Sequence, residues 1–268
     1  MNIIYKLIRK FYRKRQNTLI SNYYKILNSL NSTTPALLDL KNIQKVLVLA
    51  PHPDDEAIGC GGTLLQLTEN NYHGEIIYFT NGREKEHNQK QDIAITRRKE
   101  AMLSSKKLGI SQKHFLDYYD GHLKPDKDVV AFVLSRLNEL KPDIVFTPFF
   151  TDNHFDHRET ANILALSSAQ YEGNFLCCCY ELWSTLTPNY IVDITSFMDR
   201  KIESIKLHKS QTAETNFVDL AKGLNRYRAI VSGQPFQYAE AFFVASKRKY
   251  IKTSKRFNMF ILSFFILL

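Results

Sequence analysis

The chain has 268 residues, of which 44% are hydrophobic, so it can form one large domain with a sizeable core. Its formal net charge is +9, yet no zinc-finger, helix-turn-helix or aromatic-basic RNA signature accompanies the positive charge. We therefore expect no nucleic-acid partner. Three of the four cysteines are adjacent, at 177–179, which argues against a disulfide framework and favours a reducing compartment such as the cytoplasm.

The basic residues concentrate at the two ends of the chain. Residues 1–40 are predicted to form a basic amphipathic segment, which either lies on anionic lipid or packs on the domain. Residues 248–268 are first basic and then apolar, and the twelve apolar residues 257–268 are fewer than the roughly 17–25 that span a bilayer as a helix. This tail is expected to anchor peripherally, to span with help from a partner, or to pack on the domain or on a second subunit.

Short apolar segments alternate with helical ones through residues 41–247, which we expect to form the single catalytic domain. Their rhythm predicts a Rossmann-like α/β fold, with a doubly wound, mainly parallel sheet between two layers of helices. Strands are predicted at 46–50, 75–80, 114–118, 142–148 and 175–180, and helices from 63 onward, at 92–108 and at 127–140.

The first predicted strand ends in Pro51-His52-Pro53-Asp54-Asp55-Glu56. His52 and Asp55 are three residues apart around a turn, so both can contact one metal ion, and imidazole with carboxylate is a zinc-type donor set. Asp54 would face away from the ion and accept a proton from activated water. The alternative is an acidic turn that only caps the next helix.

A second polar cluster, Asp152-Asn153-His154-Phe155-Asp156-His157, follows the strand predicted at 142–148. Because parallel strands place their carboxyl ends at one edge of the sheet, both clusters should meet there. His157 can supply a third ligand and leave a fourth position open for water, as in catalytic zinc sites. His154 is then free for proton transfer or oxyanion stabilisation, with Asp156 or another carboxylate fixing its tautomer.

With these two motifs, P-H-P-D-D-E and H-x-D-H, the sequence resembles the PIG-L/LmbE-like family of zinc-dependent N-acetylglucosaminyl deacetylases. The similarity extends from about residue 44 to residue 246. It implies one zinc ion per chain, or another divalent ion, held by His52, Asp55 and His157. It also implies that Asp54 is the general base and that His154 assists the tetrahedral intermediate.

The resemblance implies removal of an N-acetyl group from an N-acetylglucosamine-type substrate, which the basic ends suggest is lipid-linked or part of a glycoconjugate. Arg97 and Asp120 are candidate sugar contacts, although Arg97 could instead pair with Glu100 in its helix and Asp120 could simply form a turn before Gly121. The alternatives for the whole chain are a zinc amidase acting on another sugar amide or a sugar–thiol conjugate, and a non-catalytic sugar-binding protein.

Overall fold

An eight-stranded sheet organises the part of the chain that the computed structural model describes, residues 34–84 and 91–265. The strands are β1 (Ala36–Leu37), β2 (Lys45–Ala50), β3 (His73–Glu84), β4 (Ile110–Asp120), β5 (Ile144–Pro148), β6 (Leu176–Tyr180), β7 (Tyr190–Asp193) and β8 (Ala239–Ser246). The α-helices are α1 (Asp55–Leu67), α2 (Gln91–Lys107), α3 (Lys127–Leu140), α4 (Phe155–Gln170), α5 (Met198–Ile205), α6 (Lys209–Thr212), α7 (Phe217–Val231) and α8 (Lys247–Phe265).

The strand order is β1-β7-β8-β6-β5-β2-β3-β4. Neighbouring strands are parallel except that β8 runs antiparallel to both β6 and β7. β2 lies between β3 and β5, and its side chains alternate between two hydrophobic clusters on opposite faces of the sheet, Val46 and Val48 in one, Leu47 and Leu49 in the other. The predicted mainly parallel α/β fold with helices on both faces is therefore confirmed.

Helix α1 begins earlier than the sequence indicated. We expected a turn up to the glycines and a helix only from Thr63, but the helix starts at Asp55, where two carboxylates in its first turn favour a helix N-terminus. The helix is broken at Cys60, which has φ −141° and ψ 15°. Just beyond the break, a Cβ atom at Gly62 would lie 2.7 Å from Ile194, so the glycine permits this close approach.

Strands β3 and β4 extend beyond their predicted ends. β3 continues through Asn81 and Gly82, where we expected it to stop, because Gly82 accommodates a φ of +68° within the strand. β4 pairs with β3 along most of its length, with shifts in register, and it ends at Asp120. The two extended strands therefore project past the carboxyl end of β2.

The predicted C-terminal tail begins as part of helix α8, which packs on the domain. The hydroxyl of buried Tyr250 donates a hydrogen bond to the carbonyl of Ala161 in α4 at 2.8 Å, and Phe257 contacts the rings of Phe149 and Phe150. None of the helices in the described ranges is both long and apolar enough to cross a membrane. Most of the predicted N-terminal segment, residues 1–33, lies outside the described residues.

Candidate metal centre and catalytic pocket

The two polar motifs meet at the carboxyl edge of the sheet. β2 ends at Ala50 and its neighbour β5 ends at Pro148, so the turn after β2 and the loop before α4 lie side by side. β4 ends at the same edge and contributes Asp120. The strand order therefore brings residues that are far apart in the sequence to one edge of the sheet.

The turn after β2 is held in a strained shape at Asp54, which has a φ of 140°. Backbone conformations of this kind cost roughly 1–3 kcal/mol in non-glycine residues, so the surroundings must impose them. The Asp54 N–H donates to Oε2 of buried Glu56 at 3.2 Å, and the Asp54 carbonyl accepts the N–H of Ala57 at 3.0 Å. Thr80 of β3 also donates to the carbonyl of Pro51 at 2.9 Å through both its N–H and its hydroxyl.

The three residues expected to bind a metal lie around a single carboxylate oxygen. Oδ2 of Asp55 is 3.2 Å from Nδ1 of His52 and 3.3 Å from Nε2 of His157. His154, the N-cap residue of α4, stands beside them, with its ring 4.6 Å from that of His52 and 5.2 Å from that of His157.

Two further carboxylates face His52 from the other side. Nε2 of His52 is 3.0 Å from Oδ1 of Asp120 and 3.1 Å from Oδ2 of Asp156. We expected Asp156 or another carboxylate to orient His154; the carboxylate oxygen facing His154 Nε2 belongs to Asp120, at 3.7 Å. Asp156 instead accepts the backbone N–H groups of Gly121 and Leu123, which fixes the end of β4 against α4.

The donor set fits a metal ion. His157 is fully buried, and neither of its ring nitrogens has a partner with hydrogen-bond geometry, although oxygens of Asp55 and Asp152 lie 3.3 and 3.4 Å away. A buried imidazole of this kind is costly unless its nitrogens are satisfied. Two overlapping groups of side chains lie close enough to hold such an ion: His52, His154 and His157, and His52, His154, Asp120 and Asp156.

The electrostatics of the cluster also favour a cation. Burial alone would lower the pKa of His157, but the carboxylates of Asp55 and Asp152 outweigh it and raise the pKa to about 9. Burial raises the pKa of Asp54 to about 6, against the opposing charge of Arg97. Burial and the charges of His52 and His157 lower the pKa of His154, so its imidazole favours the neutral form.

The two candidate sugar contacts both line the pocket. The guanidinium of Arg97 is buried, donates to the carbonyl of Pro53 at 3.3 Å and lies 3.6 Å from Oδ2 of Asp54. Glu100 does not pair with Arg97; its carboxylate accepts the N–H and hydroxyl of Ser210 at 2.9 and 2.6 Å. Asp120 points at the histidines rather than serving only as a turn residue.

The fold brings to the site several residues that the two motifs do not identify. Glu56 closes the first motif and Asp152 lies two residues before the second, but the sequence pattern alone assigns neither a role. His208, whose Nε2 is 3.6 Å from Oε1 of Glu56, and the pocket residues Trp183 and Phe217 come from later segments. Trp183 and His208 belong to the short segments 180–183 and 208–211, and only the tertiary fold shows that these segments reach the pocket.

Several known proteins are similar to this chain in sequence. Residues 47–167 match the family model described as PIG-L, GlcNAc-PI de-N-acetylase. The diacetylchitobiose deacetylase of Thermococcus kodakarensis is 29% identical over 199 residues, which cover 65% of this chain and 72% of the relative. A probable N-acetyl-alpha-D-glucosaminyl L-malate deacetylase 2 of Bacillus anthracis is 25% identical over 191 residues, which cover 65% of this chain and 84% of the relative.

Among solved structures, the N,N'-diacetylchitobiose deacetylase from Pyrococcus horikoshii has a TM-score of 0.69 to this chain at 27% identity. The match covers 79% of this chain and 87% of that one. The family resemblance expected from the two motifs is confirmed by these matches.

Proposed function

Because residues 47–167 match the PIG-L family model, we propose that this chain is a metal-dependent N-deacetylase that acts on an N-acetylated amino sugar. The observation that carries the proposal is the convergence of His52, Asp55 and His157 around one carboxylate oxygen, with Asp54 in the same pocket. This arrangement supplies both a cation site and an adjacent base, which amide hydrolysis requires.

We propose His52, Asp55 and His157 as the ligands of the metal ion, with zinc as the ion that this mixture of imidazole and carboxylate suits best. A zinc ion, when bound in such a site, lowers the pKa of water to near 7 and polarises a carbonyl group. Asp152 faces Nδ1 of His157 at 3.4 Å and would orient that ring toward the ion.

Asp54 is the proposed general base. Its carboxylate lines the pocket beside Arg97, and its backbone N–H is held by Glu56, so the residue is positioned next to the site of an attacking water. Asp54 takes the proton of that water as the new C–O bond forms. The proton is then available for the amine that leaves when the C–N bond breaks.

His154 is the proposed partner of the developing oxyanion. The backbone N–H of Asp156 donates to Nδ1 of His154 at 3.3 Å, so the proton of the neutral ring is on Nε2. That N–H faces Asp120 and the pocket, where it can donate to the oxygen of the tetrahedral intermediate.

The amino-sugar substrate is proposed from the relatives, whose names specify diacetylchitobiose and N-acetylglucosaminyl malate. Those two names share an N-acetylated glucosamine and differ in the group attached to it. The second candidate, an amidase that cleaves another amide of a sugar conjugate, uses the same centre and is separated from the first by the mass of the product.

The test is the release of acetate from N-acetylglucosamine, diacetylchitobiose and a lipid-linked N-acetylglucosamine by protein loaded with zinc. The wild type should release acetate from at least one of them, and Asp54→Ala should lower turnover by about 10²–10⁴ at unchanged zinc content. Asp128→Ala, which removes an exposed carboxylate on α3, is the matched control. Zinc-loaded wild type that releases no acetate from any of the three would refute the proposal.

A further inference from the structure

Two aromatic side chains line the pocket and come from a different part of the chain. Trp183 lies in the loop after β6 and Phe217 begins α7, and both line the same pocket as His52 and Asp54. Phe217 is 5% exposed, whereas Trp183 is 41% exposed. A large indole thus remains open to solvent beside a polar reaction centre.

The loop that carries Trp183 is firmly held. Arg228 of α7 donates two hydrogen bonds of 2.6 Å to the carboxylate of buried Glu181, and that carboxylate also accepts the N–H of Leu186 at 2.9 Å. Bidentate charge-assisted pairs of this type are strong and geometrically specific. The indole itself packs edge-on against Phe217, with 5.8 Å between ring centroids.

The same loop is tied directly to the loop of the second motif. The hydroxyl of Ser184, adjacent to Trp183, accepts the N–H of Asn153 at 3.0 Å, and Asn153 precedes His154. The position of the indole relative to the histidines is therefore set by the fold before any ligand binds, which lowers the cost of binding.

Of the exposed large apolar side chains in the described ranges, only Trp183 lines this pocket. Leu103 on α2 and Ile230 on α7 are more exposed than Trp183, but neither lines this pocket. Isolated apolar side chains on a protein surface are ordinary and need no function. Trp183 differs because its aromatic ring packs against Phe217 and lines the same pocket as the ionisable groups.

We propose that Trp183 is a specificity-determining residue that stacks against the ring of the amino sugar while the acetylamino group points at the polar wall. The C–H groups of a pyranose ring make its faces apolar, and the face of an indole is electron-rich. This inference rests on the proposed function and specifies how its substrate is recognised.

Trp183 is the only tryptophan of the chain, so its fluorescence reports on this position alone. We would titrate zinc-loaded protein carrying Asp54→Asn, which stops turnover, with N-acetylglucosamine and with its open-chain alditol. The alditol keeps the acetylamino group and the hydroxyls of the sugar, gains a further hydroxyl where the ring oxygen was, and has no ring. N-acetylglucosamine should shift the emission saturably and bind about tenfold more tightly than the alditol; equal affinities, or calorimetric binding without an emission change, would overturn the stacking.

Steady-state kinetics of three variants provide a second test of the stacking. Trp183→Leu keeps an apolar side chain without an aromatic face and should raise KM about three- to tenfold with little change in kcat, as loss of an aromatic contact implies. Trp183→Phe should restore most of the affinity. Leu103→Ala is the control for loss of an exposed apolar side chain. If Trp183→Leu has the KM of the wild type, the inference is wrong even though the enzyme is a deacetylase.

Failure of the stacking proposal and failure of the deacetylase proposal give different results. Acetate release that ignores the residue at 183 contradicts the stacking and leaves the deacetylase proposal intact. A ring-dependent change in Trp183 emission without acetate release from any amino sugar contradicts the proposed reaction and upholds the stacking.

Discussion

Asp54 illustrates how single residues shape this site. Its φ of 140° is unfavourable for any residue with a side chain, and it is imposed by contacts rather than by local preference. Glu56 is central to them, because one oxygen accepts the Asp54 N–H at 3.2 Å and the other accepts the hydroxyl of Tyr78 at 2.9 Å. Glu56 therefore acts on the proposed base without facing the pocket itself.

Glu56→Gln should lower kcat about tenfold or more and leave KM and zinc content nearly unchanged. The Asp54 N–H and the Tyr78 hydroxyl face different oxygens of Glu56, and the amide replaces one of these oxygens with an NH2 donor. One hydrogen bond is therefore lost, and bonds to a charged group are worth about 1.5–3 kcal/mol. Steady-state kinetics and metal analysis of the same preparation check this. Tyr78→Phe, which removes only the hydroxyl, should have a smaller effect; a wild-type kcat for Glu56→Gln would show that Asp54 needs no such support.

Asp152 acts on the proposed metal ligand His157 in the same indirect way. Asp152→Asn should weaken zinc binding about 10–100-fold, because the carboxylate that faces Nδ1 orients the ring and raises its basicity. Competition with a chromophoric chelator measures the affinity. Asp117→Asn, an exposed residue paired with Arg98, is the control, and equal affinities of the two variants would contradict this role.

At the scale of elements, the break in α1 at Cys60 is supported from far away in the sequence. Beyond the break, the N–H groups of Gly62 and Thr63 both donate to the carboxylate of Glu240 in β8 at 2.8 Å. Lys201 of α5 neutralises this carboxylate at 2.6 Å, and both side chains are fully buried. Glu240 thus serves as an N-terminal cap for the second half of α1.

Lys201→Met should lower the free energy of unfolding by about 3–5 kcal/mol, since it leaves a buried carboxylate without its counter-ion. Urea denaturation followed by circular dichroism measures the change. Lys206→Met, at an exposed position just beyond α5, should change stability little. Adding Glu240→Gln to Lys201→Met should recover part of the loss; a double variant less stable than the single one would argue against charge burial as the cause.

The sequence predicts some of these elements well and others not at all. β2 and β5 are short apolar segments next to polar motifs, so local pattern alone locates them. The break in α1 depends on Glu240, 178 residues from Gly62, and no local pattern can contain that information. Likewise, the role of Trp183 depends on Phe217 and Arg228, which approach it only in the folded chain.

At the scale of the whole molecule, the expected meeting of the two motifs follows from topology. Parallel strands linked by helices place their carboxyl ends together, so the rim could be predicted before the structure was known. The antiparallel insertion of β8 between β6 and β7 could not, because the segments after residue 180 lack the regular alternation of strand and helix. Cytoplasmic location, self-association and contact with an anionic membrane stay predictions.

Zinc should stabilise the whole domain because its proposed ligands come from two separate segments, one after β2 and one after β5. Free zinc at about 100 times the dissociation constant contributes about 2.7 kcal/mol, which raises Tm by several degrees in a domain of this size. Chelation should abolish both the shift and acetate release, and added zinc should restore them. Differential scanning fluorimetry checks this against His157→Ala, which should show a much smaller shift; an equal shift would place the ion elsewhere.

The position of β8 also has a consequence for biosynthesis. Both polar motifs are complete once residue 157 has been made, yet the strand that pairs with both β6 and β7 spans residues 239–246. Until that segment leaves the ribosome, β6 and β7 each present an unpaired edge, and Glu240 is absent from beneath α1. The nascent chain therefore carries both motifs for about 90 further residues of synthesis before the strand that joins β6 to β7 is complete.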